Sequence, residues 1–299
     1  MHASLSYFQA IVMGLTQGIT ELFPVSSLGH GVLLPGLLGW HNLVNSQSKS
    51  ESFFLAFIVG LHVGTALGLL IYYRKTWTKL FGGLGHQLAG VPTAGVSSLW
   101  RLNDPDTDPS YRLLFMLAVA TVPVGIAGLL LEHKLRVLFA KPLAAAIFLT
   151  INGVILLIGE RLRRNSGRHV KFKELGRLSA TNAFTIGCSQ IFALFAGISR
   201  SGISMVSGLM EGLDHEDAAN FAFLLATPVI LLAGVLKLPD LMGPLGDGVR
   251  YQTLVGAACA MVTALISVKF LTKWFTTKTL TPFGFYSLVV GALCIVRFA

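Results

Sequence analysis

The sequence predicts an all-α integral membrane protein, an inverted-topology repeat with about six full transmembrane helices plus two re-entrant helical hairpins. Three observations predict this class. Hydrophobic residues make up 53% of the 299 residues and charged residues only 12%, against about 25% charged residues in soluble domains. Several apolar runs reach about 18–22 residues, enough to cross a bilayer core as helices. A polar, glycine-containing break interrupts one apolar segment in each half of the chain.

Each helical element follows from the length and polarity of its segment. Residues 4–23 and 28–40 are apolar but short for spans. They are interrupted by Pro24, Ser26, Ser27 and Gly29. Lipid offers no partner to an open backbone, so we predict a re-entrant helical hairpin here. Residues 178–197 and 203–212 form a second broken pair. Full spans are predicted near residues 52–73, 111–131, 142–159, 218–238, 250–270 and 281–298.

The two breaks share one layout, which indicates an internal repeat. We therefore interpret the chain as a single membrane domain, 1–299, made of a first inverted repeat, 1–137, and a second, 138–299. Each half would give one hairpin to a shared site near the bilayer midplane. With a shift of about 173 positions, the matching pairs are Gly14 and Gly187, Gln17 and Gln190, Ser26 and Ser199, and Gly29 and Gly202.

The distribution of charge predicts the orientation. The net charge is +9, but loop lysines and arginines are topology signals in a membrane protein and do not indicate a nucleic-acid partner. The basic loop at residues 160–177 is assigned to the cytoplasm, and the connection at 74–110 then falls on the same side. Loops 132–141 and 239–249 and both termini fall outside. The first hairpin thus enters from outside and the second from inside.

The first break carries groups suited to proton transfer and nucleophilic attack. Gln17 and Glu21 are four residues apart and face one side of a helix. Gln17 cannot accept a proton at neutral pH, so Glu21 is the carboxylate able to act as a base. Ser27 precedes His30 by about one helical turn, so His30 can relay a proton or hold the serine. Ser26 is expected to cap the restarting helix.

The second break carries a cation between two serines. Ser199, Arg200, Ser201 and Gly202 follow the interruption directly. Two helix N-termini meeting beside an arginine predict an anion site suited to phosphate. An arginine in an apolar context is costly without an anionic partner, which favours a functional role for Arg200.

Further polar residues around these breaks are assigned to substrate binding. The serines and His62 have a purely structural alternative: serines at helix breaks are often caps, and His62, in an otherwise apolar span, can simply bond a neighbouring helix. Asn152 is interpreted as such a packing contact. The predicted substrate-binding residues are Gln17, Ser26, Ser199, Ser201, Gly202, Thr20 and His62.

Nearly the whole chain resembles one family. Residues 17–21 (QGITE), 24–30 (PVSSLGH) and 197–202 (GISRSG) resemble signatures of the bacterial undecaprenyl-diphosphate phosphatases, also called bacitracin-resistance proteins. Residues 61–65 (LHVGT) and 221–228 (FAFLLATP) also look like that family. Three residues depart from its usual pattern: Gln17 stands where many members have Glu, Ala196 where Pro is usual, and Ile58 where an acid is frequent.

The resemblance implies a hydrolase of the bacterial cytoplasmic membrane. It implies removal of the terminal phosphate of undecaprenyl diphosphate at the outer face, which recycles the lipid carrier for peptidoglycan synthesis. It also implies a divalent cation, Mg²⁺ or Ca²⁺, and bacitracin resistance on overproduction. Glu21 is the candidate metal ligand, although Gln17 weakens any two-carboxylate site. The expected partners are the lipid substrate and the membrane, with a homodimer possible and no nucleic acid.

The expected mechanism is phosphoryl transfer. Ser27 attacks the terminal phosphorus, or water attacks directly; Glu21 and His30 handle the proton, and Arg200 holds the charge. The alternative function is an inverted-repeat transporter or flippase for a phosphorylated lipid or anion, because broken helices in inverted repeats are typical of transporters.

Overall fold

The protein folds as a bundle of α-helices, known from a computed structural model. The described residues are 5–47, 53–100, 102, 107–139, 141–165 and 175–299. They form twelve α-helices and four short 3-10 helices and contain no strand. The α-helices are α1 Tyr7–Thr20, α2 Ser27–Leu37, α3 His41–Gln47, α4 Phe53–Tyr72, α5 Arg74–Ala94, α6 Pro109–Phe139, α7 Pro142–Asn165, α8 Ala180–Ser189, α9 Arg200–Met210, α10 His215–Met242, α11 Arg250–Trp274 and α12 Thr281–Phe298.

Six of the described helices are long and apolar enough to cross a membrane, which confirms the predicted number of full spans. Their apolar segments match the expected positions closely. The protein is therefore a multi-pass membrane protein. The spans are Phe53–Tyr72, Pro109–Leu131, Pro142–Arg164, His215–Leu236, Arg250–Trp274 and Thr281–Phe298.

Three predicted boundaries were wrong. The basic loop predicted at 160–177 begins later, because α7 continues to Asn165. The loop predicted at 132–141 is mostly helix, because α6 continues to Phe139 through a segment without proline or glycine. α10 begins at His215 rather than near Ala218, because the Asp214 side chain accepts a hydrogen bond from Asp217 N and caps the helix. Within the connection at 74–110, residues 103–106 (NDPD) are typical of a turn. These residues and the part of the basic loop at 166–174 lie outside the described residues.

Both broken segments have helices on either side of the interruption. α1 begins with a capping box between Ser6 and Gln9, and the chain turns after it before α2 begins at Ser27. In the second half, α8 passes into a 3-10 helix, Gln190–Leu194, before α9 begins at Arg200. The start of each broken segment is bonded to the region where the segment ends. Gln9 Nε2 in α1 donates to Asn42 Oδ1, in α3 directly after α2, at 3.2 Å. Asn182 in α8 donates to Glu211 at the end of α9.

Small residues let helices α1, α4 and α11 approach closely. A Cβ at Gly14 would lie 2.2 Å from Gly256 O, and one at Gly64 would lie 2.2 Å from Ala257 O. Any larger side chain would force these backbones apart, so the short first helix is held tightly against a full span. This packing fixes the position of the first break inside the bundle.

A buried carboxylate ties three helix ends together away from the breaks. Glu160 in α7 is 3% exposed. Its Oε2 lies 2.9 Å from His215 Nε2 and accepts from Leu280 N at 3.3 Å. The end of α7 and the starts of α10 and α12 therefore lie at one end of the bundle.

Candidate active site

The two breaks are in direct contact. Ser26 Oγ accepts a hydrogen bond from Gly197 N at 3.2 Å. A Cβ at Gly29 would lie 2.9 Å from Gly197 Cα. Gly197 has φ +116°, and a Cβ there would lie 2.5 Å from Ala145 O, so the chain needs glycine for both conformation and space. The tip of the first broken segment therefore rests on the backbone of the second.

A serine caps the restarting helix at each break. Ser26 has φ 69° and accepts from Gly29 N at 3.1 Å, so its predicted role as a cap is confirmed. Ser199 accepts from Gly202 N at 3.1 Å and pairs with Ser201 Oγ at 3.1 Å. These contacts occupy the Ser26 and Ser199 hydroxyls and the Gly202 amide. The helix N-termini of α2 and α9 are thereby brought to one place.

Glu21 is the centre of the cluster. It follows the last turn of α1 and is 6% exposed. Its Oε2 accepts from the Ser27 hydroxyl and from Gln17 Nε2, the latter at 3.1 Å. Its Oε1 lies 2.5 Å from Arg200 Nη2. One buried carboxylate thus joins a hydroxyl of the first break to the cation of the second.

Arg200 pairs with Glu21 through only one of its two terminal guanidinium nitrogens. One guanidinium nitrogen, Nη2, pairs with Glu21, while Nη1 is buried and has no hydrogen-bond partner among the described residues. A buried, unpaired donor on a charged group is costly, so an anion that accepted this hydrogen would be held strongly. The same guanidinium can therefore orient Glu21 and contact an anionic ligand.

His62 also contacts Glu21. Its Nε2 lies 3.2 Å from Glu21 Oε2, and its Nδ1 lies 2.8 Å from Ile58 O. A carbonyl oxygen only accepts, so Nδ1 carries a hydrogen and Nε2 is the nitrogen directed to the carboxylate. The sequence singled out His62 without a partner; the structure brings it to Glu21. Thr20, beside Glu21, donates its hydroxyl to Thr16 O at 2.7 Å.

His30 lies at the edge of this cluster. Its Nδ1 is 2.8 Å from Ser26 O, and its Nε2 is 2.9 Å from the Tyr286 hydroxyl. The rings of His30 and Tyr286 are stacked with centroids 5.8 Å apart. The contacts of His30 in the described residues therefore run to Ser26 and Tyr286 rather than to Ser27. Tyr286 was missed from sequence, since it lies in an apolar span 256 residues away and belongs to no motif.

The residues at this site do not fit a divalent cation held by the protein alone. The described residues contain no group of three or more His, Cys, Asp or Glu side chains that could hold a metal ion. Both oxygens of Glu21 are engaged, one of them by Arg200. Gln17 directs its amide hydrogens, not its oxygen, to the carboxylate. A second cation at Glu21 would thus meet the guanidinium at short range.

An apolar cavity of about 510 Å³ opens between α4, α6, α10 and the 3-10 helix at the second break. Leu55, Val59, Leu194 and Val229 are among its lining residues. Val59 precedes His62 by three residues on α4, so the cavity reaches within about one helical turn of the residue that contacts Glu21.

Comparison with known proteins agrees with this arrangement. The family model described as bacitracin resistance protein BacA matches residues 10–293. A Frankia alni protein named undecaprenyl-diphosphatase 2 is 47% identical over 100% of this chain and 99% of its own length. Proteins named undecaprenyl-diphosphatase from Mycolicibacterium paratuberculosis and Granulibacter bethesdensis are 45% and 42% identical over at least 99% of both chains. The chain belongs to the BacA family of bacitracin resistance proteins.

Proposed function

We propose that this protein hydrolyses undecaprenyl diphosphate to undecaprenyl phosphate and phosphate, and so recycles the lipid carrier for peptidoglycan synthesis. The observation that carries the proposal is the contact of the Ser27 hydroxyl with the Glu21 carboxylate, beside Arg200, whose buried Nη1 has no hydrogen-bond partner among the described residues. A hydroxyl on a base, facing a cation, is the arrangement that phosphoryl transfer requires. The names of the similar proteins and the family's bacitracin resistance agree with this activity.

The proposed chemistry starts at Ser27. Its oxygen attacks the terminal phosphorus while its proton passes to Glu21, and the bond from that phosphorus to the bridging oxygen breaks. Undecaprenyl phosphate leaves, and water then hydrolyses the phosphoserine to phosphate and regenerates Ser27. Arg200 neutralises charge on the phosphoryl oxygens throughout. In the alternative, Glu21 and Ser27 orient a water that attacks directly. His30, oriented by Tyr286, exchanges protons at the edge of the site.

Phosphate release tests the assignment. The purified protein in detergent, given a long-chain isoprenyl diphosphate, is expected to release one phosphate per molecule of substrate consumed. A transporter or flippase, the second candidate, would move the lipid between leaflets of a vesicle without cleaving it. Lipid movement with no phosphate release would reject the hydrolase and favour the transporter.

Substrate binding is proposed to use two regions. The diphosphate would face Arg200 and the α2 and α9 N-termini, near Ser199 and Ser201. Part of the isoprenoid chain would enter the cavity lined by Leu55 and Val59, whose apolar surface suits a hydrocarbon.

The predicted Mg²⁺ or Ca²⁺ ion remains a proposal. Because the described side chains around Glu21 offer no free cluster of metal ligands, we propose that the ion arrives bound to the diphosphate. The predicted homodimer likewise stays a prediction.

We also propose that the two broken segments are re-entrant hairpins of an inverted repeat, with halves 1–137 and 138–299. Contacts Gly14–Gly256 and Gly18–Ala260 make α1 parallel to α11. The corresponding contact in the second half is that of Gly187 with Ala120, where α8 packs on α6. The hydrogen bonds that join the start of each broken segment to its end support a hairpin that enters and leaves on one face. The charge of the loops puts the start of α11 outside and the start of α6 inside, so the two hairpins would enter from opposite faces.

This topology predicts accessibility on opposite sides of the membrane. In a variant with Cys188, Cys259 and Cys294 replaced by alanine, Arg164→Cys should resist a membrane-impermeant thiol reagent in intact cells, because the basic loop is cytoplasmic. Asp247→Cys, at an exposed site between α10 and α11, should react. Labelling is read by mass shift on a gel. The reverse labelling pattern would contradict the proposed topology and would place the active-site opening on the cytoplasmic face.

The two serines of the first break should respond differently. Ser27→Ala removes the proposed nucleophile, so its turnover should fall by about 10²–10⁴-fold. Ser26→Ala removes a cap that holds the Gly29 and Gly197 amides, so it should lower thermal stability by about 0.5–2 kcal/mol and lose less turnover than Ser27→Ala. Phosphate release and thermal unfolding measure the two effects. An active Ser27→Ala beside an inactive Ser26→Ala would reverse the assignment, and activity in both would favour water as the nucleophile.

A further inference from the structure

The most informative residue outside the Glu21 cluster is a buried asparagine. Asn152 lies within the apolar span of α7 and is 1% exposed. A buried amide in a membrane helix is costly unless its donor and acceptor are satisfied. Sequence alone favoured simple packing between helices for Asn152. Its partners point to a more specific role.

Asn152 bonds the backbone of both breaks at once. Its Oδ1 accepts from Ser199 N at 2.9 Å. Its Nδ2 donates to Pro24 O at 3.0 Å and to Ser287 Oγ in α12 at 3.2 Å. Pro24 O and Ser199 N belong to chain that has left one helix and not yet entered the next, where lipid offers no replacement partner.

Pro24 O and Ser199 N lie close in sequence to the residues proposed to react. Pro24 lies between Glu21 and Ser27, and Ser199 directly precedes Arg200. A single rigid amide between Pro24 O and Ser199 N therefore fixes the distance from the serine and its carboxylate to the arginine. The contact of Ser26 Oγ with Gly197 N is a second bond across the same interface.

We propose that Asn152 is a positioning residue for the hydrolysis: it clamps the two breaks so that Ser27, Glu21 and Arg200 keep their reactive geometry. This role rests on the proposed function. It acts through the backbone and needs no contact with the substrate. A displacement of about 1 Å at a reacting centre can cost about 100-fold in rate. Losing the clamp should therefore lower kcat more than it weakens substrate binding.

Two substitutions separate the bonds of the clamp. Asn152→Leu is close in size and removes every hydrogen bond. Asn152→Asp keeps an oxygen for Ser199 N and, as a carboxylate, has no hydrogen to donate to Pro24 O. Asn220→Leu is the matched control, because Asn220 accepts from the Tyr73 hydroxyl at 2.8 Å, away from the breaks. Ser287→Ala removes only the α12 partner.

We would measure kcat, KM and thermal unfolding, together with amide hydrogen exchange in the peptide containing Ser199. For Asn152→Leu we expect kcat to fall about 100-fold with KM near that of wild type, and faster exchange at Ser199. Asn152→Asp should lose less kcat and keep Ser199 protected. Asn220→Leu and Ser287→Ala should keep kcat near wild type.

Other outcomes would overturn the proposal. A wild-type kcat in Asn152→Leu would do so, and so would unchanged exchange at Ser199 in that variant. An equal loss of kcat in Asn220→Leu would assign the effect to general destabilisation. If Asn152→Leu does not fold, Asn152→Ala, which also removes every hydrogen bond, replaces it, and a wild-type kcat in that variant overturns the proposal. A wild-type protein that releases no phosphate would reject the proposed function, while exchange at Ser199 would still report whether the clamp exists.

Discussion

Replacing Glu21 by glutamine is expected to lower turnover of the proposed hydrolysis by about 10³-fold or more. The substitution keeps the shape of the side chain and removes its charge. Ser27 then loses the acceptor for its proton, and Arg200 loses its anionic partner at 2.5 Å. The carboxylate contact of His62 is lost as well. This single substitution thus removes both the activation of Ser27 and the ion pair that orients Arg200.

A second buried carboxylate provides the control for this experiment. Glu160 is as buried as Glu21 and also contacts a histidine, His215, at 2.9 Å. Removing one partner of a buried pair is destabilising by about 3–5 kcal/mol wherever it lies. Glu160→Gln should therefore lower the unfolding temperature but leave turnover of the folded protein near wild type. A comparable loss of turnover in both variants would assign the Glu21 effect to stability rather than to chemistry.

Much of the fold could be predicted because it depends on short-range composition. Apolar runs of sufficient length identified six spans, and the polar residues around Ser26 and Ser199 marked both breaks. Ser26 was expected to be a cap because a serine at a restarting helix has a nearby amide to bond. The extension of α6 to Phe139 does not follow from the sequence, because charged residues after an apolar span can either form a loop or continue the helix.

Long-range partners could not be predicted in the same way. Asn152 bonds residues 47, 128 and 135 positions away, and no local pattern specifies which backbone groups it meets. Tyr286 reaches His30 from the last helix. The sequence also suggested that His30 faces Ser27, whereas its ring nitrogens turn to Ser26 O and Tyr286. The sequence alone identified the residues at each break. Which distant residues they contact could be seen only in the packed structure.

Replacing Arg200 by alanine is the second change expected to have a very large effect, with turnover lower by about 10³-fold or more. Arginines that neutralise a transferring phosphoryl group contribute about 10³–10⁵ in rate. Arg200 has the required geometry, because Nη2 holds Glu21 and the buried Nη1 is left for an anion. The loss should appear in kcat and in the binding of phosphate as a competitive inhibitor. Phosphate release and inhibition by inorganic phosphate measure both.

The lysine variant distinguishes charge from geometry. Arg200→Lys keeps a positive charge, but one ammonium cannot hold Glu21 and an anion through two separate nitrogens, so it should recover only part of the lost turnover. Arg250→Ala is the control, because Arg250 bonds carbonyl oxygens of Leu241, Met242 and Gly243 at the far end of α10 and should be dispensable for chemistry. Full recovery by lysine would reduce the role of Arg200 to its charge. Undiminished phosphate release from folded Arg200→Ala would remove the arginine from the mechanism and leave Glu21 and the helix N-termini to stabilise the transferring phosphoryl group.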